Sequence, residues 1–297
     1  MNTTATAPLT LHCAGRPVAR YEVRADLGRR SAPRPFLHPV TTLAGTPVTE
    51  YAPADHPHHL GAGVAVPDVD GHNFWGGRTY VRGQGPTALD NHGEQRHRAF
   101  EPRCPDGRVE DLDRIVEDLD WIVGDLDRNA EARLLLRERR TVAVTRLADD
   151  AWALDLTFAL TNPGREPVIV GSPATNGRPG AGYGGFFWRA PKESAVPSVR
   201  TPDAEGEEAV HGRPADWLAL TGDGWTLVFA GATAETRRDP WFVRTAEYPG
   251  VGSSLAARER LPIAPGDTVV RRIVTVVADG RPDRERTVAL VGKAVSA

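Results

Sequence analysis

Short β-like segments that end at glycine or proline recur along the whole chain of 297 residues. The clearest segment reads WALDLTFAL at 152–160, where large apolar residues alternate with smaller or polar ones. This period of two predicts a β-strand with one buried face. The 30 glycines and 25 prolines are spread over the full length, so long helices have few places to form. We therefore predict an all-β fold, namely an antiparallel β-sandwich of two packed sheets.

No low-complexity linker interrupts the chain, so we predict one all-β domain over residues 1–297, with residues 1–20 at its periphery. Residues 109–127 differ, because near-copies of a seven-residue unit place apolar residues at heptad-like positions: Val109, Leu112, Val116, Leu119, Val123 and Leu126. The third copy decays at Gly124, and the acidic residues would repel one another along a helix. We interpret the segment as an insertion, either a repeat expansion within a β-hairpin region or a short surface helix. It could also contact a second copy, so a homo-oligomer is one option.

Charge and hydropathy argue against several classes of partner. The net charge is −3 and the arginines are interspersed with acidic residues, so the chain lacks the basic stripe that nucleic-acid binding needs. No stretch approaches the roughly 18–20 consecutive apolar residues of a membrane span. The first residues show no secretory signal, which leads us to expect a cytoplasmic protein. The two cysteines, Cys13 and Cys104, are expected to be reduced and incidental.

Histidines are concentrated in one part of the chain. Six of the nine lie within residues 55–97, namely His56, His58, His59, His72, His92 and His97. On an extended chain the side chains of His56 and His58 would point to one face and that of His59 to the other. His92 and Glu94 would share a face in the same way. The pattern predicts a functional site built from two short segments of a sheet.

Two kinds of chemistry suit this group of histidines. Imidazole titrates near neutral pH, so His56, His58 and His92 could pass protons to and from a substrate. The same three histidines with Glu94 could instead bind Zn, Mn or Fe. No HExxH or comparable ligand spacing is present, so a divalent metal is the less favoured option and the sequence requires no cofactor. For any single histidine, capping a turn or satisfying a buried backbone group is the simpler role.

Aromatic and planar polar residues follow in the stretch ATNGRPGAGYGGFFWRAP. Its glycines let the backbone approach a ligand closely. Tyr183 and Trp188 could stack on the apolar face of a sugar ring, while neighbouring amide and guanidinium groups bind its hydroxyls. Phe186 and Phe187 cannot both face one side of a strand, so at least one of them is expected in the core.

The stretch RRDPWFVRTAEYPGVG adds an arginine and carboxylates closer to the end of the chain. Arg244 could hold a substrate carboxylate with its forked guanidinium, although an ion pair with Glu247 or Asp239 is the simpler role. No GxSxG elbow is present, and neither cysteine has a convincing histidine context. Serine and cysteine nucleophile mechanisms are therefore not favoured.

Four segments in order carry a resemblance to a known family: RPFLHPVTTLAGTPVTEY, DHPHHLG, DVDGHNFWGG and NGRPGAGYGGFFWR. They resemble, over about residues 30–280, a bacterial family of unknown function whose members are labelled "methane oxygenase PmoA" or "PmoA family protein". The matching positions are Asp55, His56, His58, His59, Asn73, Phe74 and Trp75. The resemblance implies a role in carbohydrate catabolism. It does not imply methane oxidation, because the methane monooxygenase subunit of that name is an integral membrane protein and this chain shows no membrane span.

The chain also looks like a galactose-mutarotase-type β-supersandwich. Enzymes of that type act with histidines from mid-chain and a glutamate from late in the chain, on a concave sheet face. This second resemblance implies that His58 or His92 is the acid and Glu247 the base.

We predict a carbohydrate-active enzyme that uses acid–base chemistry on a sugar or sugar-derived small molecule, as an epimerase, lyase or hydrolase. The expected catalytic residues are His56, His58, His92 and Glu247. The expected substrate-binding residues are His59, Asn73, Trp75, His97, Asn176, Arg178, Tyr183, Trp188, Arg189, Trp241 and Arg244. Two alternatives stay open. One is a non-catalytic carbohydrate-binding or regulatory module, and the other is a metal-dependent enzyme with His56, His58, His92 and Glu94 as ligands.

Overall fold

Two antiparallel sheets pack face to face in the computed structural model, which describes residues 7–23, 27–101, 112–124 and 132–297. The prediction of an all-β fold is confirmed. In chain order the strands are β1 (Leu9–Cys13), β2 (Arg16–Glu22), β3 (Phe36–Val40), β4 (Ala62–Val69), β5 (His72–Phe74), β6 (Thr79–Val81), β7 (Gly85–Thr87), β8 (Glu94–Phe100), β9 (Leu112–Val123), β10 (Arg133–Ala148), β11 (Ala151–Thr161), β12 (Val168–Gly171), β13 (Gly185–Arg189), β14 (Ser198–Arg200), β15 (Trp217–Thr221), β16 (Trp225–Gly231), β17 (Trp241–Arg244), β18 (Gly250–Ser254), β19 (Leu261–Ile263) and β20 (Thr268–Asp279). The helices are α1 (Glu207–Val210), α2 (Ala234–Arg238) and α3 (Arg284–Ser296), with a 3-10 turn at Arg29–Ser31.

Within the described ranges, one sheet has ten strands and the other has eight. The ten-stranded sheet runs β1-β2-β3-β4-β13-β18-β17, with β5 and β12 paired to β4, and β19 paired to β12. The eight-stranded sheet runs β14-β15-β16-β20-β11-β10-β9-β8. Strands β6 and β7 form a separate small hairpin. Neighbouring strands pair in the antiparallel sense, as hairpin connections favour.

The alternating segment at 152–160 lies in strand β11, between β10 and β20. Its large residues are buried in the core between the sheets: Trp152, Leu154, Leu156, Phe158 and Leu160. The small residues Ala151 and Ala153 face the other way, where Leu290 and Ala294 of helix α3 pack against the sheet. The period of two thus buries one face of this strand against the second sheet, and helix α3 covers the beginning of the other face.

The same alternation divides the ten-stranded sheet into an inner face, which packs on the other sheet, and an outer face. Residues of β13 and β17 that point inward are Phe186, Trp188, Trp241 and Val243. Phe187 and Phe242, which point outward, belong to a second apolar group with Ala65, Trp75 and Tyr248. Trp75 and Tyr248 come from loops, so loops cover the outer face of this sheet at that place.

Residues 112–123 of the repeated segment form strand β9, which pairs with β8 and β10. The β-hairpin interpretation therefore agrees with the structure, and the surface-helix interpretation is wrong for these residues. The alternate positions 115, 117, 119, 121 and 123 are all buried, so a period of two prevails over the heptad spacing. Val109 and Leu126 lie outside the described residues.

Strands β1 and β2 form one edge of the ten-stranded sheet, and their Leu11 and Val18 are buried. Residues 9–20 thus lie at the edge of the sheet, and their buried side chains still belong to the core between the sheets. Cys13 is buried, and Cys104 lies outside the described residues, so the redox state of the cysteines stays a prediction. That the chain forms a single domain also stays a prediction. No helix in the described part of the chain is long and apolar enough to cross a membrane.

Candidate functional site

The histidine-rich loop lies over the outer face of the ten-stranded sheet, between β3 and β4. Two turns shape it, because His56 N donates to Pro53 O at 3.0 Å and His59 N donates to His56 O at 2.9 Å. Ala52 N then donates to His59 O at 2.8 Å and closes the loop. The expectation of an extended segment with His59 on the opposite face is therefore wrong. The turns bring all three imidazoles together, with ring centroids 4.6 Å (His56–His59), 4.8 Å (His58–His59) and 5.8 Å (His56–His58) apart.

His59 is buried among aromatic rings of the outer face. Its centroid lies 5.0 Å from Phe187, 5.1 Å from Tyr248 and 5.8 Å from Trp75. Burial, with the neighbouring imidazoles, lowers the pKa of His59 far below its ordinary value, so the ring is neutral. Its Nδ1 is buried without a hydrogen-bond partner in the described structure. His59 therefore acts as one of the packed rings and is poorly suited to carry a charge.

The aromatic cluster, as we call it, comprises His59, Trp75, Tyr183, Phe187, Phe242 and Tyr248. Trp75 is central, with centroids 4.6 Å from Tyr183 and 4.8 Å from Phe187. Tyr183 lies 5.3 Å from Phe242. Burial raises the pKa of both tyrosine hydroxyls, so these residues are neutral. Tyr183 keeps partial exposure, which makes it the ring of this cluster that solvent reaches most readily.

His56 lies at the more open end of the loop, with 26% of its side chain exposed. Its ring stacks on His59 and is tilted against Tyr248, at 4.6 Å in each case. His56 Nδ1 lies 3.1 Å from Asp55 Oδ2, an ion-pair distance without hydrogen-bond geometry. Because Nδ1 is itself buried, the exposed part of the side chain belongs to its other atoms. A carboxylate–imidazole pair thus borders the aromatic cluster.

Arg189 fixes this pair from beneath. The residue is fully buried, and its Nε and Nη2 lie 3.0 and 2.9 Å from Glu50 Oε2. Nη2 also lies 3.4 Å from each oxygen of Asp55, and Cζ lies 4.8 Å above the Tyr248 ring. Burial acts to raise the pKa of Asp55, but the contacts with His56 and Arg189 outweigh it and lower that pKa. Asp55 is therefore an anion beside His56 at neutral pH.

His58 and His92 support the glycine turn after Trp75. A Cβ on Gly77 would lie 2.9 Å from two atoms of the His58 ring, so the ring packs directly on the backbone there. His92 Nε2 donates to Gly77 O at 2.7 Å. Burial, with the charge of Arg34 next, lowers the pKa of His58 to about 3. Both imidazoles hold the turn, a role that does not require them to transfer protons.

Asn73 also positions Trp75. Its Oδ1 accepts hydrogen bonds from the backbone N–H groups of Trp75 and Gly76, both at 2.8 Å, and its Nδ2 donates to Thr79 Oγ1 at 3.1 Å. The side chain is buried, and these bonds occupy both ends of the amide. The structure thus assigns Asn73 to building the loop, whereas the sequence suggested direct contact with a substrate.

Trp188 and Trp241 were expected on the substrate-binding wall, and the structure places both in the core between the sheets instead. Each uses its indole N–H on a backbone carbonyl: Trp188 Nε1 donates to Val48 O at 2.7 Å and Trp241 Nε1 to Ala215 O at 3.1 Å. The alternation of strand residues accounts for this, because the residues that follow these tryptophans, Arg189 and Phe242, point outward.

Arginines and one glutamate lie around the aromatic cluster. Arg244 Cζ lies 4.7 Å over the Phe242 ring, and its Nη1 lies 3.6 Å from Glu207 Oε1, so its carboxylate partner is neither Glu247 nor Asp239. Asp239 binds Arg271 instead, at 2.6 Å. Arg178 is exposed, and its charge acts on the hydroxyl of Tyr183. Glu247 is exposed next to Tyr248, so its predicted role as a base stays a prediction.

Three of the predicted residues lie elsewhere. His97 Nδ1 donates to Glu117 Oε1 at 2.7 Å in the eight-stranded sheet. Asn176 binds Asp68 in a separate cleft, at 3.0 Å. Glu94 accepts hydrogen bonds from Arg96. Across the described ranges, no group of three or more His, Cys, Asp or Glu side chains is placed to hold a metal ion, so the proposed ligand set with His56, His58 and His92 is not assembled.

Several residues of this site were not assigned to it from the sequence. Asp55 stands directly before His56, which was a usable signal for a carboxylate–imidazole pair. Phe187 and Phe242 each adjoin a tryptophan, so strand alternation could have placed them on the face of Arg189 and Arg244. Glu50 and Tyr248 have no local motif, and only the folded chain brings them to Arg189.

No similar protein was found among those with curated descriptions. Among solved structures, the chain is similar to the crystal structure of Slr1438 protein from Synechocystis sp. PCC 6803, a structural-genomics target, with 10% sequence identity and a TM-score of 0.42 over 94% of this chain and 99% of that one. Residues 8–291 match the model of a family of unknown function, DUF6807, and the chain therefore belongs to that family.

Proposed function

We propose that the protein is a carbohydrate-active enzyme that performs acid–base chemistry on a sugar or sugar-derived small molecule, with His56 as the group that transfers the proton. The observation that carries the proposal is the His56–Asp55 pair at the partly exposed border of an aromatic cluster. The Asp55 carboxylate lies beside Nδ1, which leaves Nε2 for a substrate. Arg189 keeps that carboxylate ionised and in place.

The other histidines of the loop suit this role less. Burial disfavours the protonated forms of His58 and His59, so neither would hold a proton near neutral pH. His92 is buried with its Nε2 bound to a backbone carbonyl. We therefore assign proton transfer to His56 and retain the exposed Glu247 as its candidate partner. Epimerisation, β-elimination and hydrolysis can each begin with such a pair.

A sugar is the proposed substrate because the border of the site combines aromatic faces with planar donors. Tyr183 is partly exposed beside Trp75, and ring faces of this kind stack on the C–H side of a pyranose. The guanidinium groups of Arg178 and Arg244 lie nearby and can donate to hydroxyls or to a carboxylate.

The broader expectations also stay proposals. We propose a relationship to galactose-mutarotase-type sandwiches, since the candidate site lies on a sheet face, as it does in those enzymes. The PmoA label is compatible with a role in carbohydrate catabolism only, as the sequence resemblance implies. We further propose a cytoplasmic protein that acts on small molecules without a nucleic-acid or membrane partner and that can form a homo-oligomer.

The test is a panel of aldoses, sugar acids and methyl glycosides incubated with the protein in D₂O and followed by proton NMR. An epimerase would exchange one C–H for deuterium, a lyase would produce an alkene signal, and a hydrolase would release a free sugar. His56→Asn should abolish the change, whereas His72→Asn, a half-buried histidine outside the cluster, should retain it. A His56→Asn variant that keeps wild-type turnover would refute the assignment.

A non-catalytic carbohydrate-binding module is the second candidate, favoured by the close packing of aromatic rings around Trp75. The same panel of sugars distinguishes the enzyme from the binding module. Saturable quenching of tryptophan fluorescence by a sugar, with no chemical change in any compound and no effect of His56→Asn on affinity, would support the module.

A further inference from the structure

A cleft lies between the β6–β7 hairpin and the loop at 172–180. Its volume is about 440 Å³, which lies within the range of roughly 300–1,000 Å³ that small-molecule sites occupy. Its lining includes Asp68, Tyr80, Arg82, Asn176 and Arg260. Of the described residues that line it, none belongs to the aromatic cluster or to the loop at 51–61. The cleft is therefore a feature separate from the His56 site.

One wall of the cleft is a fixed polar group built around Asp68, whose side chain is only 7% exposed. Its Oδ1 accepts from Gly71 N at 2.9 Å, and its Oδ2 accepts from Asn176 Nδ2 at 3.0 Å and lies 3.4 Å from Arg260 Nη1. Arg260 also donates to Asn176 Oδ1. These mutual bonds hold an amide and a guanidinium in one orientation at the cleft surface, which reduces the entropy lost when a ligand binds.

Arg82 contacts the loop at 172–180 on either side of Asn176. Its Nη2 donates to the carbonyl of Thr175 at 3.3 Å, and no ion pair joins the guanidinium to a carboxylate of the described residues. A Cβ on Gly177 would lie 3.2 Å from Arg82 Nη1, so a glycine there allows the guanidinium to approach the loop backbone. With Arg260 already facing Asp68, Arg82 leaves the lining with one uncompensated positive charge.

The remaining lining is mixed. Tyr80, Val81 and the exposed Leu89 give apolar and aromatic surface beside Arg82, and Thr79, Asn91 and Thr175 are polar. A carbon chain or ring with hydroxyl groups fits this combination, because its C–H surface packs on the apolar side and its hydroxyls meet the Asn176 and Arg260 groups. A guanidinium without a carboxylate partner adds a preference for an anion, which it can bind through two nitrogens.

We propose that this cleft binds a small anionic polyol, of which a sugar acid is the simplest example, with Arg82 on the carboxylate and the Asp68–Asn176–Arg260 group on the hydroxyls. The site goes beyond the proposed catalytic function, since it shares no residue with the His56–Asp55 pair.

The test is isothermal titration of the full-length protein with three probes of graded chemistry. D-gluconate carries both features, D-glucose carries the hydroxyls without the charge, and acetate carries the charge without the hydroxyls. Gluconate should bind saturably. Glucose should bind at least about tenfold more weakly because it lacks the charge-assisted hydrogen bond, and acetate should do so because it lacks the hydroxyl contacts. Absence of saturable gluconate binding up to roughly 10 mM, or equal affinity for all three probes, overturns the proposal.

Three variants locate the binding. Arg82→Gln should weaken gluconate about tenfold or more while leaving glucose unchanged, because only the anion contact is lost. Arg98→Gln removes a comparably exposed arginine of strand β8, outside the lining, and should have no effect. His56→Asn should also leave gluconate affinity unchanged, so this result is independent of whether His56 is catalytic. Equal gluconate affinity in Arg82→Gln and wild type, or loss of binding in His56→Asn, refutes the assignment to the cleft.

Discussion

Replacing Arg189 by methionine removes the guanidinium that links strand β13 to the histidine loop. Methionine has a similar length and is apolar, so most of the buried volume stays filled while both carboxylate contacts are lost. Arg189 Nε lies 3.0 Å and Nη2 lies 2.9 Å from Glu50 Oε2. Nη2 also lies 3.4 Å from each carboxylate oxygen of Asp55. The backbone bond from Arg189 N to Gly61 O, at 2.8 Å, is unaffected.

The expected loss in the free energy of unfolding follows from the exposure of the two carboxylates that Arg189 contacts. Breaking a fully buried ion pair costs about 3–5 kcal/mol, because the remaining charge is buried and unpaired. Glu50 and Asp55 are 30% and 40% exposed, so water can hydrate them once Arg189 is gone. We therefore expect a smaller loss of about 2 kcal/mol in the free energy of unfolding, the contribution of charge-assisted hydrogen bonds that are partly replaced by water.

Equilibrium unfolding in urea, followed by tryptophan fluorescence, measures this loss. A change of about 2 kcal/mol corresponds to a midpoint lower by roughly 1 M. Arg244→Met is the control, because that half-buried arginine has one ion pair at 3.6 Å and hydrogen bonds to the carbonyls of Val243 and Gly180, and should lose only about 1 kcal/mol. If Arg189→Met is no less stable than Arg244→Met, the guanidinium does not anchor the loop and the reasoning fails.

Three further predictions concern the loop and its turn. His59→Phe should change the free energy of unfolding by no more than about 1 kcal/mol, because the imidazole is neutral and its Nδ1 has no hydrogen-bond partner in the described structure. A loss above about 3 kcal/mol in urea unfolding would show that the imidazole has a polar role. Because the folded-state pKa of His58 is about 3, below the unfolded value, the unfolded chain binds more protons between these values, and stability should fall as pH drops from about 6.5 towards 3. His58→Gln should reduce that slope in unfolding measured across this pH range, and an unchanged slope would contradict the assignment. Asn73→Ala should cost about 1–2 kcal/mol and alter the fluorescence of Trp75, whose backbone N–H it binds; unchanged stability and spectrum would exclude this positioning role.

The fold was predictable because it depends on a local period. Residues 152–160 alternate in the sequence and are buried alternately in strand β11, with helix α3 over the small residues. The repeated segment shows the limit of this approach. Its heptad spacing and its period of two coexist in the sequence, and pairing with β8 and β10 selects the strand for residues 112–123. The strand conformation depends on these neighbouring strands, and a local sequence pattern carries no information about them.

The candidate site was predictable in part. Its histidines were identified, but their arrangement was not, because it depends on turn hydrogen bonds such as the one from Ala52 N to His59 O. An extended strand was assumed where the backbone turns twice. Trp188 was assigned to the wrong face because alternation says which residues share a face, and only the second sheet shows which face is covered.

The two sheets differ in what protects their outer faces, and this difference affects how the protein can change. Helix α3 covers part of the eight-stranded sheet with a regular element that packs through Leu290 and Ala294. The aromatic cluster on the ten-stranded sheet is covered by loops, which tolerate substitution and insertion better than packed helices do. Substitutions and insertions in the loops around residues 51–61 and 172–183 should therefore be tolerated better than changes in the sandwich beneath them. For protein engineering, the same loops are the place to begin when a new specificity is wanted on this scaffold.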